Sequence, residues 1–470
     1  MSTQSDKPSA RDPWSGYGSG RTWIESDLRL ARMVGRPVRE FMHVETASGF
    51  VLLAATIAAL VLANTAWGDD IARIWDTELV LFEVGDFHLA ETIGHWINDG
   101  LMAIFFFVVG LEIKRELVDG ELTDRRRAAM PAIAALGGII VPATIYLALN
   151  AGGAGANGWG IPMATDIAFA VGVLALLGDR IPGPLKVFLL TLAIVDDIAA
   201  ITVIALFYSS GIDLTWLGGG AVLLLAMMAM RMARIWYIPL YVVAGFGVWL
   251  CFLESGVHAT IAGVLLGLLT PAKPLRPEPT VIDVESDSSW STIRSTLFDA
   301  KETVPVATRL EQSIHPWSAF VILPLFAFAN AGIVLTADGI RAAVRSPITL
   351  GVVAGLVIGK PVGVLAASWL TEKLNLGVRP DGVSWRHILG AGGLAGIGFT
   401  VALFVTSLAF DDPGLADEAK LGVLAASVLA AVLGAVILSR GSDPAPEPAP
   451  AGSTAPEKVG TGIQPDPARP

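Results

Sequence analysis

Between residues 46 and 440 the chain alternates long apolar runs with short polar connections. The runs fall near Ala47–Trp67, Trp96–Ile113, Ala129–Leu149, Gly160–Leu177, Val187–Tyr208, Leu217–Met230, Ile235–Leu253, Gly256–Leu269, Trp317–Leu335, Leu350–Leu370, Ile388–Phe410 and Leu421–Leu438. A helix needs about 20 apolar residues to cross a bilayer. The pattern therefore predicts an all-α polytopic membrane protein with about twelve transmembrane helices. Leu217–Met230 and Gly256–Leu269 are the shortest of them. The basic residues alternate with the spans. Lys114, Arg115 and Arg125–Arg127 follow the second, Arg180 and Lys186 the fourth, Arg231 and Arg234 the sixth, Lys373, Arg379 and Arg386 the tenth, and Arg440 the twelfth. The opposite loops carry chiefly Arg73, Arg341 and Arg345. An excess of Lys and Arg marks cytoplasmic loops, so both termini are expected in the cytoplasm.

Composition agrees with a membrane domain. Of 470 residues, 53% are hydrophobic and only 16% charged, and the mean hydropathy is +0.62. A net charge of −11 argues against nucleic acid as a partner. Cys251 is the single cysteine, which excludes an intrachain disulfide. Residues 1–45 lack an apolar run, so the first span is expected to serve as the targeting signal. The expected layout is a cytoplasmic extension over 1–45, a transmembrane domain over 46–440 and a disordered cytoplasmic tail over 441–470, rich in Pro, Ala, Glu and Gly. Ile24–Val38 has the pattern of an interfacial amphipathic helix or of a solvated tail. In the external loop over 68–95, Glu78–Phe82 and Phe87–Ala90 flank Gly85-Asp86, as in a β-hairpin. A long cytoplasmic loop covers 271–313, with a candidate short helix at Trp290–Ala300.

The chemistry lies inside the spans. Asp196 and Asp197 sit at the centre of VFLLTLAIVDDIAAITVIALFY. A carboxylate at mid-membrane costs roughly 2.5–3.5 kcal/mol on insertion scales, and intramembrane carboxylates mark ion or proton paths. Adjacent helical residues point about 100° apart, so the two can face different groups. In IPMATDIAFAVG, Pro162 breaks the helical hydrogen-bond pattern shortly before Thr165 and Asp166. The eleventh run holds Gly390, Gly392, Gly393, Gly396 and Gly398, which suits either close helix crossing or an unwound segment. Lys360, in the middle of the tenth run, needs a carboxylate partner, for which Asp166 and Asp196 are the candidates. Together these groups form a cluster that attracts protons or a small hard cation and titrates as a coupled unit. Glu112, Arg115, Glu116 and Glu311 lie at span ends on the basic side, and Asp99 and His258 at span ends on the other side.

The stretches WINDGLMAIFFFVVGLEIKREL, IPMATDIAFAVGVLALLGDR, LAIVDDIAAI, SGVHATIAGV, HPWSAFVILPLFAFANAG, IGKPVG and GIGFTVALF occur in this order from the second span to the eleventh. They resemble the NhaA family of sodium/proton antiporters. The resemblance implies that family's known architecture: inverted repeats with two crossing discontinuous helices, the fourth and the eleventh spans. It also assigns cation and proton binding to Asp196 and Asp197, and places Thr165, Asp166 and Lys360 at the crossing. It implies a pH response at Glu112, Arg115, Glu116 and Glu311, and a homodimer joined through the hairpin. His258 reads first as a satisfied interfacial histidine and second, by its residue type, as a proton sensor. Gln312 stands beside Glu311 where a histidine can occur in relatives, which bears on the pH set point.

The reading is therefore a multi-pass inner-membrane transporter, not an enzyme, that exchanges Na+ or Li+ for H+ without a cofactor. Competition of cation and protons for Asp196 and Asp197 drives it, with electrogenic, pH-regulated exchange expected. Two rival readings fit less well. A proton-coupled transporter of an organic solute needs a solute-sized polar set, which these runs lack. An intramembrane aspartyl protease needs its two carboxylates on separate helices, whereas the obvious pair here is adjacent.

Overall fold

The computed structural model describes residues 45–440 apart from 85–86, 210, 234, 236 and 274–304. The segment Ile24–Val38, read as amphipathic helix or solvated tail, the candidate helix at Trp290–Ala300, the Gly85-Asp86 turn and the tail over 441–470 lie outside the described residues.

Each apolar run forms helix. Eight helices are long and apolar enough to cross a membrane: Ile93–Asp119, Arg126–Asn150, Ala156–Leu176, Gly183–Phe207, Leu214–Met232, Val306–Asn330, Pro347–Lys373 and Pro413–Ser439. Two bent pairs add Ala47–Ala63 with Gly68–Trp75, at 115°, and Trp385–Ala395 with Phe399–Ala409, at 48°. Pro239–Glu254 and Thr260–Leu269 are apolar but shorter. These segments overlap the twelve expected runs and carry the same numbers, first to twelfth, although by length and composition only eight to ten of them are candidate membrane crossings among the described residues. Helix starts carry side chains that satisfy free backbone N–H groups. Asp213 accepts from Thr215 N at 2.7 Å. Ser346 and Asp412 each precede a proline at the first helical position, Pro347 and Pro413.

The ninth span departs from expectation. It was expected over Trp317–Leu335, with Arg309 and Glu311 ahead of it, but the helix begins at Val306 and ends at Asn330. The segment VATRLEQSIHPW is amphipathic, burying Ala307 and Glu311 where it packs against the second span. Such an amphipathic segment shows no continuous apolar run in the sequence. The first span also ends early, at Ala63, and the chain turns into the short helix Gly68–Trp75, which buries no residue.

Between the first two spans, β1 (Glu78–Val84) and β2 (Phe87–Thr92) pair antiparallel, with an irregularity between Val80 and Phe82. The strands are longer than the expected Glu78–Phe82 and Phe87–Ala90.

Two three-span units position the centre of the molecule. The third span packs on the fourth and fifth, and the twelfth packs on the tenth and eleventh. The units are joined where the third and tenth spans cross at Gly137 and Gly363, where a methyl on either would run into the backbone of the other. Spans seven places apart in a chain that crosses at each step run in opposite directions, so the second unit is inverted relative to the first.

Candidate cation site

The fourth span is two helices rather than one. Ala156–Met163 is a 3-10 helix, Ala164 to Asp166 are extended, and an α-helix resumes over Ile167–Leu176. Pro162 lies inside the first piece, and the chain opens just after it. The eleventh span breaks between Ala395 and Phe399, at Gly396-Ile397-Gly398. Its glycines do both things the sequence allowed. Gly393 permits close packing, since a methyl there would lie 3.0 Å from Gly434 Cα of the twelfth span, while Gly396 and Gly398 bracket the break.

The two breaks meet and satisfy each other. Asp166 N donates to the Ile397 carbonyl at 2.6 Å, and Thr165 Oγ1 donates to the Ala395 carbonyl at 2.8 Å. The Asp166 carboxylate caps two helices. Its Oδ1 accepts from Phe169 N at 3.1 Å, and its Oδ2 accepts from Thr400 N at 3.0 Å and from Thr400 Oγ1. Helix N-termini carry partial positive charge and free N–H groups, so one carboxylate serves both half-helices. Irregular backbone at membrane depth is tolerated only where protein or a cavity takes up its polar groups, and here each break supplies partners for the other.

Lys360 selects between its two candidate partners. Its Nζ donates to Asp196 Oδ2 at 2.7 Å, with both side chains fully buried, and also to the Met163 carbonyl at the end of the 3-10 helix. A widened π-helical turn, Gly355–Gly359, precedes Lys360, whose own N–H bonds back to the Gly355 carbonyl. Pro361 comes next and has no N–H to donate, which explains why the turn is wide there. Asp196 Oδ1 is buried without a hydrogen-bond partner among the described residues. Thr165 borders Asp196, but its hydroxyl is engaged with Ala395. Asp197 is 5% exposed. Its charged neighbours are Asp196, Asp166 and Lys360 at the crossing and Glu112 of the second span.

Arg115 Nη1 pairs with Glu311 Oε1, joining the second span to the ninth, and Arg115 Nη2 lies 3.6 Å from Glu116 Oε1. Glu112 neighbours this cluster and Asp197 alike, so it stands between the basic-side cluster and the crossing. His258 is not part of that cluster. Its Nε2 hydrogen-bonds the Tyr208 carbonyl at 2.7 Å, beyond the other end of the fifth span, with Asp99 as a charged neighbour.

Three participants are not marked in the sequence as the others are. Thr400 looks like one more small residue in a glycine-rich run. The Met163 carbonyl acts through backbone alone. The π-turn at Gly355–Gly359 left one signal, Pro361 directly after Lys360.

A family model described as Na+/H+ antiporter 1 matches residues 39–438. The Na(+)/H(+) antiporter NhaA 3 of Frankia alni is 47% identical, over 86% of this chain and 89% of that protein. NhaA 2 of Sorangium cellulosum is 46% identical over 88% and 91%, and NhaA of Rhodopirellula baltica 45% over 86% and 93%. The match covers both broken spans and every residue of the crossing, and the chain belongs to the NhaA family of sodium/proton antiporters, multi-pass membrane transporters rather than enzymes.

Proposed function

We propose that the chain exchanges Na+ or Li+ for H+ across the inner membrane by making cation and protons compete for Asp196 and Asp197. The observation that carries this reading is the arrangement at the crossing. One aspartate is held by a buried ammonium, and its neighbour Asp197 is buried with no ion pair among the described residues. Such a site has strong reason to take up positive charge, and both a proton and a small hard cation supply it. Lys360 holds Asp196 until the cation arrives. Asp197, Thr165 and carbonyls of the opened backbone complete an oxygen shell of the kind hard cations prefer. Asp166 keeps the two half-helices in register while the site turns from one side of the membrane to the other. Two protons leaving for each cation bound makes the exchange electrogenic.

The same reading assigns the pH response to Glu112, Arg115, Glu116 and Glu311 on the cytoplasmic side, with His258 as a separate group on the far side. It takes 46–440 as the antiporter domain between two cytoplasmic extensions, and the β1–β2 hairpin as the contact of a homodimer, because an isolated two-stranded sheet is marginal alone. Proteoliposomes carrying Asp197→Asn are expected to lose Na+-driven proton movement. Exchange at the wild-type rate overturns the site assignment. Assays with Na+, Li+ and K+ across a pH series establish which cations compete.

A further inference from the structure

The second half of the eleventh span starts at Phe399, directly after Gly398, which has no side chain to cap it. The first turn of a helix presents N–H groups with no partner in their own helix. Asp166 takes that of Thr400. That of Phe399 is taken by the twelfth span: Phe399 N donates to Ser427 Oγ at 3.2 Å, and Ser427 is 7% exposed. The Phe399 ring meets Phe169 edge-on across the crossing, with centroids 5.0 Å apart. Phe169 N in turn donates to Asp166 Oδ1. The contacts close a circuit from Ser427 through Phe399, Phe169 and Asp166 to Thr400, the residue after Phe399. The inverted units explain the placement. The fifth span, third of its unit, brings Asp196 beside the break of the fourth. The twelfth span, third of its own unit, brings Ser427 to the break of the eleventh.

We infer that Ser427 is a positioning residue for cation binding. It touches neither cation nor proton. It fixes where the second half of the eleventh span begins, and so fixes the two Thr400 donors that hold the Asp166 carboxylate, next in the chain to Thr165, which borders Asp196. The twelfth span does not need this bond to stay in place, since it is held along its length by close contacts such as Gly434 on Gly393 and Gly422 on Thr349. The inference rests on the site proposed above.

The test measures Na+-driven proton movement in proteoliposomes against Na+ concentration at several pH values. Ser427→Ala is expected to raise the apparent KM for Na+ about fivefold, the effect of one lost hydrogen bond. Its maximal rate stays within twofold of wild type, and Ser427→Thr, which keeps the hydroxyl, restores KM to within twofold. Ser427→Cys, close in volume but a poorer acceptor, substitutes on the same criteria if the Ala variant does not accumulate. A wild-type KM at every pH overturns the inference, and so does an equal rise in the Ala and Thr variants. Asp197→Asn is run alongside. Its loss of exchange together with an unchanged Ser427→Ala removes only the role of Ser427, whereas exchange retained in Asp197→Asn removes the underlying site.

Discussion

The Lys360 ammonium reaches from the tenth span to Asp196 Oδ2 of the fifth at 2.7 Å, and neither side chain touches solvent. Taking two charges out of water costs several kcal/mol each, and a buried pair often contributes little net stability compared with apolar residues of the same size. Its presence is better explained by use than by stability. On the competition proposed above, the pair keeps Asp196 neutralised until a small cation takes the place of the ammonium.

The pair is testable by a double-mutant cycle. Lys360→Ala leaves Asp196 buried without its cation, a change of about 3–5 kcal/mol for pairs of this kind. Its thermal midpoint in detergent is expected to fall by several degrees. Adding Asp196→Asn to Lys360→Ala removes the stranded charge and is expected to recover most of that loss. A double variant no more stable than Lys360→Ala would show that the two groups are not energetically coupled.

The pH dependence of sodium binding counts the protons displaced. If one Na+ expels one proton, the apparent KM falls about tenfold per pH unit in the range where the site is protonated, and by more if it expels two. Steady-state exchange in proteoliposomes is expected to give a fall in log KM of more than one per pH unit. Under the same conditions an imposed membrane potential is expected to change the rate. A fall of one per pH unit with no response to potential would remove electrogenic exchange.

Much of this architecture is legible in the sequence because the membrane penalises polar groups so heavily. Asp196, Asp197, Asp166 and Lys360 stand out within apolar runs, and few explanations other than mutual pairing fit them. Pro162 and the glycines of the eleventh span likewise mark both breaks. What stays hidden depends on three-dimensional pairing. Nothing in the sequence chooses Asp196 over Asp166 as the partner of Lys360, because the choice turns on how the third and tenth spans cross at Gly137 and Gly363. The start of the ninth span is hidden because its first three turns are amphipathic. Asp166 caps its own helix, a role its position before Ile167 suits, but its second set of donors belongs to a residue more than two hundred positions away.

Arg115 offers a test of the basic-side cluster. It bridges the second and ninth spans by pairing with Glu311 and lies near Glu116. Arg115→Gln removes the cation that pairs with Glu311 and lies near Glu116 and Glu112. If the cluster governs activation, the midpoint of the pH–activity profile is expected to move upward by about one unit, with Arg115→Lys intermediate, because lysine keeps the charge but not the two nitrogens that reach Glu311 and Glu116 separately. His258→Gln, at the other end of the fifth span, is expected to leave that midpoint in place. An unchanged profile in Arg115→Gln would free the cluster from any part in pH control.

Pro361 is expected to control where the ammonium points. The N–H of Lys360 bonds five residues back, to Gly355, and Pro361 cannot donate at all. The Leu356 carbonyl therefore lacks the partner a regular helix would give it, and it faces Gly396 at the break of the eleventh span, where a methyl would collide with it. Pro361→Ala returns an N–H to the chain and replaces the residue least suited to a helix interior, a difference of about 3 kcal/mol in propensity. The proline then no longer imposes the wide turn, which can tighten locally. A local shift of backbone at Lys360 carries its ammonium away from Asp196 Oδ2 and the Met163 carbonyl, while the contact of Gly363 on Gly137 holds the second half of the span in place. Pro361→Ala is expected to accumulate and melt near the wild-type temperature, yet to lose at least about tenfold in Na+-driven exchange, the equivalent of roughly 1.4 kcal/mol. The Lys360–Asp196 coupling in the double-mutant cycle is expected to shrink in the same background. Wild-type exchange by this variant would mean that the wide turn does not aim the ammonium.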